Sequence, residues 1–259
     1  MGGKRGGSKS MTDAIVLAGG GEGEIEKKFG VVNRSLLVIK DKFMIEYVIE
    51  ALKSVSSIKR IIVVGPVKEI KCRIGSLVEE VVPPGENPFE SAWKGLEALQ
   101  TREKVLITGS DLPLLKGEMV EDFLLRCSKE EADFYYPIIR REIYEKKLND
   151  SQRTFVRLRD GCFTGGDILF LNPQMMEKKK EWLSRIVESR KNPVALARLI
   201  GAKVIFKYLT KQLTIKDVEE RVDKMLGIKA LAVITPYPEM GFDVDKVGHV
   251  QVAERILKK

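Results

Sequence analysis

The chain has one histidine and three cysteines in 259 residues. Cys72, Cys127 and Cys162 lie far apart and show no paired spacing, which argues against a disulfide framework or a structural zinc site. A reducing, cytoplasmic setting is the expectation that follows. With His249 alone, mechanisms that need a histidine base beside a histidine or cysteine cluster have little material. His249 itself is expected on the surface of the closing helix. No uncharged apolar run is long enough to cross a membrane. Low-complexity tracts and internal repeats are missing too. So are two common phosphate-binding signatures: no third glycine completes a dinucleotide fingerprint with a helix directly after it, and no Gly-Lys-Ser/Thr closes a P-loop.

What the chain does have is DAIVLAGGGEGE, from Asp13 to Glu24. The run Ala14 to Ala18 is nearly all apolar, as in a strand covered on both faces of a parallel sheet. Gly19, Gly20 and Gly21 then free the backbone to turn, and the N–H groups of such a turn can cradle an anion. A tight turn without a ligand is the plainer reading of the same residues.

Hydrophobic residues make up 44% of the chain, enough for one large α/β domain, which we place at residues 12–259 behind a leader ending at about residue 11. MGGKRGGSKS lacks the apolar centre of a signal peptide and reads as a remnant or a disordered basic arm. Lys4, Arg5 and Lys9 supply three of the eight excess positive charges. The remaining five suit a small anionic substrate. Basic residues are scattered among acids rather than gathered in a stripe with aromatics, which argues against nucleic acid.

Strand-like and helical runs alternate, the pattern of a mainly parallel sheet with helices on its faces. Strands are expected in SLLVI, RIIVVG, LVEEVVP and KVLITG, with helices over about Met44–Ser54 and Gly117–Cys127. Asn87, Pro88 and Glu90 form a helix start that explains all three residues, whereas Ser91 has no such explanation. Further strands are expected in DFYYPII, FVRL and FTGGDILFLN. A helical excursion over about 174–226 precedes ALAVI and the last helix.

Ligands of open α/β sheets bind beyond the carboxyl ends of strands. Asp111 follows KVLITG there, stiffened by Pro113, and Asp243 and Asp245 follow a strand near the chain end. Carboxylates from two strands can hold magnesium, which accepts one or two protein oxygens and completes its shell with phosphates and water. Turn formation or N-capping is the alternative role for each.

LAGG at the first strand end, Ser35-Leu36-Leu37 before a helix, SDLPLL around Asp111 and GFDVDKVGHVQVA near the end occur together in this order. In this the chain resembles MobA-like nucleotidyltransferases, relatives of molybdenum cofactor guanylyl- and cytidylyltransferases and of sugar-phosphate nucleotidyltransferases. The resemblance covers Asp13 to about Leu125 well, Gly227 to the end moderately, and the middle weakly. It implies a GT-A-like Rossmannoid three-layer sandwich. It also implies transfer of a nucleoside monophosphate from CTP or GTP to a phosphorylated cofactor or sugar, with Mg2+ as cofactor. Carried onto this sequence, Leu17, Ala18, Gly19, Gly20 and Gly21 would contact the nucleotide and Ser91 its base. Asp111 would hold the metal with Asp243 or Asp245, and Gly165, Gly166 and Asp167 would meet the acceptor.

Two departures from the family pattern stand out. An arginine after the glycines and a lysine before the Leu-Leu pair are usual. Here Glu22, Glu24 and Glu26 crowd the loop and Arg34 takes the lysine position, leaving Arg34 and Lys28, with Lys27 beside it, as candidate phosphate-handling cations. An acidic loop facing a triphosphate is costly unless its glutamates point elsewhere. The alternatives to a nucleotidyltransferase are a GT-A glycosyltransferase and a nucleotide-binding protein without catalysis. PVALARLIGAKVIFKYLTKQLTI, residues 193–215, mixes apolar and basic residues at helical spacing. Packing over the sheet is the expected role, with a dimer surface or a membrane-lying helix as alternatives.

Overall fold

The computed structural model describes residues 11–20, 23–149, 151, 153–180 and 201–258. Residues 1–10, Gly21, Glu22 and residues 193–200 of the 193–215 stretch lie outside them. The first strand, β1 (Thr12–Leu17), leads to α1 (Glu24–Phe29), the short pair β2 (Val38–Ile39) and β3 (Lys42–Phe43), and α2 (Met44–Lys53). Then come β4 (Ile58–Val64), α3 (Val67–Ile74), β5 (Glu80–Val82), α4 (Pro88–Leu99), β6 (Val105–Gly109) and α5 (Gly117–Cys127). The second half runs β7 (Phe134–Arg140), α6 (Arg141–Leu148), β8 (Val156–Leu158), β9 (Gly161–Gly165), β10 (Ile168–Leu171) and α7 (Pro173–Lys178). After α8 (Ala202–Leu209) and α9 (Ile215–Leu226), β11 (Ala230–Thr235) and α10 (Val247–Leu257) close the chain.

A nine-stranded sheet runs β5-β4-β1-β6-β10-β7-β9-β8, with β11 along the other edge of β7. Pairings β5/β4, β4/β1, β1/β6 and β7/β11 are parallel; β9 and β10 run against them. Strand periodicity builds the two faces. Ala14, Val16, Ile61, Val63 and Leu106 point into a core under α2, α3 and α5. Their neighbours Ile15, Ile62, Val64, Val105 and Ile107 point into a second core under α4, α7 and α9. Apolar residues at every position are what a strand covered on both faces requires. The result is the expected α/β three-layer arrangement with a mixed, mostly parallel sheet.

Asn87 caps α4 as its sequence indicates, its Oδ1 accepting from the Glu90 N–H at 3.0 Å with Pro88 in the first turn. Two expectations need correction. SLLVI is not a continuous strand: Arg34–Leu36 form a 3-10 turn, and only Val38–Ile39 pair, with β3. The Asn33 side chain accepts the Ser35 N–H at 2.9 Å and so starts that turn in place of a ladder. Helix α3, between β4 and β5, buries Ile70 and Ile74 one turn apart. His249 is buried rather than on the surface: its Nδ1 lies 2.9 Å from the Asp243 carbonyl and its ring packs on Phe242.

Candidate active site

Strands β1 and β6 are neighbours in register, Leu17 beside Gly109, so the glycine loop and Asp111 leave the sheet at one edge. Ala18 remains anchored through its N–H to the Val64 carbonyl at 2.7 Å. Its own carbonyl accepts from Asn33 Nδ2 at 2.8 Å, and a longer contact of 3.5 Å reaches the Gly20 carbonyl. Asn33 is fully buried, and its amide fixes the path of the loop from behind. A Cβ on Gly19 would stand 3.2 Å from Pro84 and 3.6 Å from Ser91 Oγ, and one on Gly20 would stand 3.1 Å from Arg34 Nε. The loop therefore runs between the Pro83–Asn87 segment and Arg34, with room for little more than backbone.

Ser91 has a structural role after all: its buried Oγ accepts the Gly85 N–H at 3.0 Å and pins the proline-glycine segment onto α4. The two described glutamates of the acidic loop are occupied with backbone. Glu26 accepts from the N–H groups of Gly23 at 3.0 Å and Arg34 at 3.3 Å, and Glu24 accepts from Val247 N–H at 3.3 Å at the start of α10. Carboxylates on helix N-termini and loop amides are stabilising there. This removes part of the conflict that the sequence posed. Lys27 and Lys28 are exposed on α1, and neither joins the Asp111 cluster by an ion pair.

Asp111 Oδ2 sits 3.5 Å from Arg34, and its carbonyl accepts the Val244 N–H at 2.9 Å, which joins this strand end to the Asp243–Asp245 segment. Burial pushes the Asp111 carboxyl up to about 6, with Asp243 and Asp245 adding to the rise and Arg34 opposing it. Asp167 enters from the other side, its carbonyl accepting the Gly109 N–H at 3.3 Å. It is pushed up to about 7, again chiefly by burial, with Asp243 and Asp111 adding and Arg153 opposing. Of the carboxylates expected here, Asp245 is the one turned away: it is 42% exposed and lies 3.0 Å from His249 Nδ1.

Arg153 organises the far wall, and sequence reasoning missed it. Its guanidinium donates to Asp167 Oδ2 at 2.9 Å, the Gly165 carbonyl at 3.0 Å, Thr164 Oγ1 at 3.3 Å and Asp243 Oδ1. Its ionised form is reinforced despite burial, because Asp167 and Asp243 flank it. Gly165 and Gly166 mark a kink between β9 and β10 where no side chain fits: a Cβ on Gly165 would overlap the Tyr136 hydroxyl, and one on Gly166 would lie 2.9 Å from Pro137. The N–H groups of Gly166 and Asp167 donate to the carbonyls of Pro137 and Met240, both at 2.8 Å. No local motif announces Arg153 in the sequence; Asn33, preceding the Arg-Ser-Leu-Leu segment by position alone, is nearly as silent. Gly21 lies outside the described residues.

Residues 14–202 match the MobA-like NTP transferase domain. The chain belongs to that family. A hypothetical transferase from Thermus thermophilus is 35% identical, over 93% of this chain and 99% of that one, with a TM-score of 0.84. The nucleotidyltransferase fold is shared with two more distant structures. One is 4-diphosphocytidyl-2C-methyl-D-erythritol synthase from Anaerococcus prevotii, 13% identical over 97% of this chain and 100% of that one, with a TM-score of 0.62. The other is CMP:2-keto-3-deoxy-manno-octonic acid synthetase in complex with CTP, 12% identical over 96% and 98%, also at 0.62. No curated protein matches the sequence significantly. No described helix of this nucleotidyltransferase family member is long and apolar enough to cross a membrane.

Proposed function

We propose that this chain moves a nucleoside monophosphate from a nucleoside triphosphate, CTP or GTP, to a small phosphorylated cofactor or sugar, and releases pyrophosphate. The observation that carries this reading is the junction of a backbone-lined glycine loop with the Arg34–Asp111 pair at the ends of adjacent parallel strands. The CTP complex of the octonic acid synthetase is a relative of the same fold that binds such a nucleotide.

An acceptor phosphate oxygen attacks the α-phosphorus, the bond to the bridging oxygen breaks, and pyrophosphate departs with the electron pair. The chain's part is positioning and charge. In this reading the backbone N–H groups of Gly19 and Gly20 donate to phosphate oxygens, and Arg34, whose Nε lies 3.1 Å from where a Gly20 Cβ would stand, serves the departing pyrophosphate. Asn33 keeps the loop from moving as charge develops. Arg153, Asp167 and the Gly165–Gly166 kink form the wall that faces the acceptor.

The donor set fits a divalent cation. Among the described residues no cage of three or more ligands exists, and magnesium beside phosphates needs only one or two carboxylates. Asp243 lies close enough to Asp111 to disfavour the charge on Asp111, a tension that a cation relieves. They are the residues that would hold magnesium, which supplies neutralising charge to the phosphoryl oxygens.

A thermal-shift titration with CTP, GTP, UTP and ATP, with and without magnesium, tests the reading on wild type and Asp111→Ala. A nucleotide at a hundred times its Kd stabilises by about 2.7 kcal/mol, several degrees for a domain of this size. The expected result is a magnesium-dependent shift with CTP or GTP that the variant loses. No shift with any nucleotide overturns the reading.

A further inference from the structure

The segment from Gly201 to Lys216 holds four lysines, Lys203, Lys207, Lys211 and Lys216, and no acidic residue. Within it, α8 is mounted with its apolar side outward. Ala202, Ile205, Phe206 and Leu209 recur at three- and four-residue intervals and so share one stripe. In a helix packed on a domain that stripe faces the core. Here no side chain of α8 is buried: Phe206 is 67% exposed, Leu209 72% and nearby Tyr208 44%. The other side of the helix meets α9. Lys207 pairs with Asp217, and Lys203, Val204 and Lys207 share a hollow with Asp217, Glu220 and Arg221.

We propose that α8 is a peripheral membrane-binding element that seats Phe206 and Leu209 at the acyl boundary of an anionic phospholipid surface. Lys211 and Lys216 are exposed and make no ion pair among the described residues, which leaves their ammonium groups for lipid phosphates. Large apolar side chains flanked by lysines are the composition that such an interface selects, through buried apolar area and attraction to anionic headgroups together. Long lysine stems reach the headgroup level while their neighbours enter the apolar layer. A second copy of the chain fits poorly. A two-fold contact through this patch would set the acid-free lysines against themselves. Nucleic acid would satisfy the lysines and leave Leu209 without a role.

The inference stands on α8 and is independent of the reaction proposed above. It is tested by flotation of the full chain with vesicles of phosphatidylcholine alone and with vesicles doped with phosphatidylglycerol, comparing wild type with the double variant Phe206→Glu/Leu209→Glu. Both side chains are exposed, so an unchanged Tm checks that the variant folds. Wild type is expected to float with the anionic vesicles only, and to detach as salt is raised. The double variant is expected to lose on the order of tenfold or more in vesicle-bound fraction, as removal of about 1.4 kcal/mol of binding gives. Three outcomes overturn the proposal: no flotation of wild type, equal flotation with neutral vesicles, or undiminished flotation of the double variant. A dimer in gel filtration that the double variant dissociates would overturn it as well, by placing a second copy on the patch.

Discussion

On the β1 side of the site, polar groups are tied to backbone. Asn33 holds the carbonyl of Ala18, Ser91 holds the N–H of Gly85, and Glu26 holds the N–H groups of Gly23 and Arg34. On the β7–β10 side, side chains hold one another as charges, with Arg153 between Asp167 and Asp243. The two walls differ in how each is broken. A backbone-tied wall loses one hydrogen bond at a time, each worth about 1 kcal/mol net. A charge-tied wall fails as a unit, because removal of one partner strands the others in a poorly solvated place. Asp111 stands between the walls and belongs to both.

Asp111→Ala is therefore the sharpest cut. Pyrophosphate release with the nucleotide that shifts wild type should fall by about 10³-fold, the scale on which a preorganised electrostatic group contributes. Turnover within a few-fold of wild type would remove Asp111 from the chemistry. Next in size is Arg153→Met, which leaves Asp167 and Asp243 facing each other without a cation. A loss of about 3 kcal/mol is expected, or roughly 6–12 °C in Tm, toward the lower end for a pair that solvent still reaches. Arg153→Met combined with Asp167→Asn should recover part of that loss. If the single and double variants melt together, the far wall is not held by charge.

The same clustering sets a pH dependence. The Asp111 and Asp167 carboxyls are raised in the folded protein, to about 6 and about 7. A raised carboxyl means that the folded state binds the proton more tightly than the unfolded chain does, so stability falls as pH rises between the ordinary carboxylate range and those values. The stability gain of Asp111→Asn over wild type should widen with pH, from about 1.5 kcal/mol near pH 5 to about 3 kcal/mol at pH 8. A difference that does not change across this window would show that Asp111 does not bear the strain of the cluster.

The contrast between the walls also decides what could be read from the sequence. Apart from Glu24, which reaches Val247, the backbone-tied contacts are short in sequence: Ser91 reaches six residues back, Glu26 eight forward and Asn33 fifteen back. Their glycines, prolines and caps leave a local pattern, and the β1, β4, β6 and α4 elements follow from it. Arg153 reaches 90 residues to Asp243. Nothing near Arg153 distinguishes it from other arginines until the fold closes, although the kink at Gly165–Gly166 hints that something large must pass. Asp111 and Asp243 were legible as strand-end residues and Asp167 only through the family resemblance, whereas the crowding of all three was not. His249 shows the opposite failure: a lone polar residue on an amphipathic helix reads as exposed, and here a backbone carbonyl and an aromatic face draw it inside.

The smallest expected effect lies on the β1 side, in Ser91→Ala. The Ser91 Oγ accepts one hydrogen bond from Gly85, so its loss should cost about 1 kcal/mol and lower Tm by a few degrees. Accepting that bond leaves the hydroxyl's own proton for a further acceptor, close to where Gly19 passes. If that acceptor is the bound nucleotide, Ser91→Ala weakens nucleotide binding several-fold beyond its effect on Tm, and Ser91→Thr, which keeps the hydroxyl, restores part of it. If the hydroxyl only pins the Pro83–Asn87 segment, Kd and Tm move together and track loop order alone. Measured by isothermal titration with the nucleotide found above, the first outcome makes the backbone-tied wall a reader of the base. The second leaves it as a scaffold, with discrimination carried elsewhere in the site.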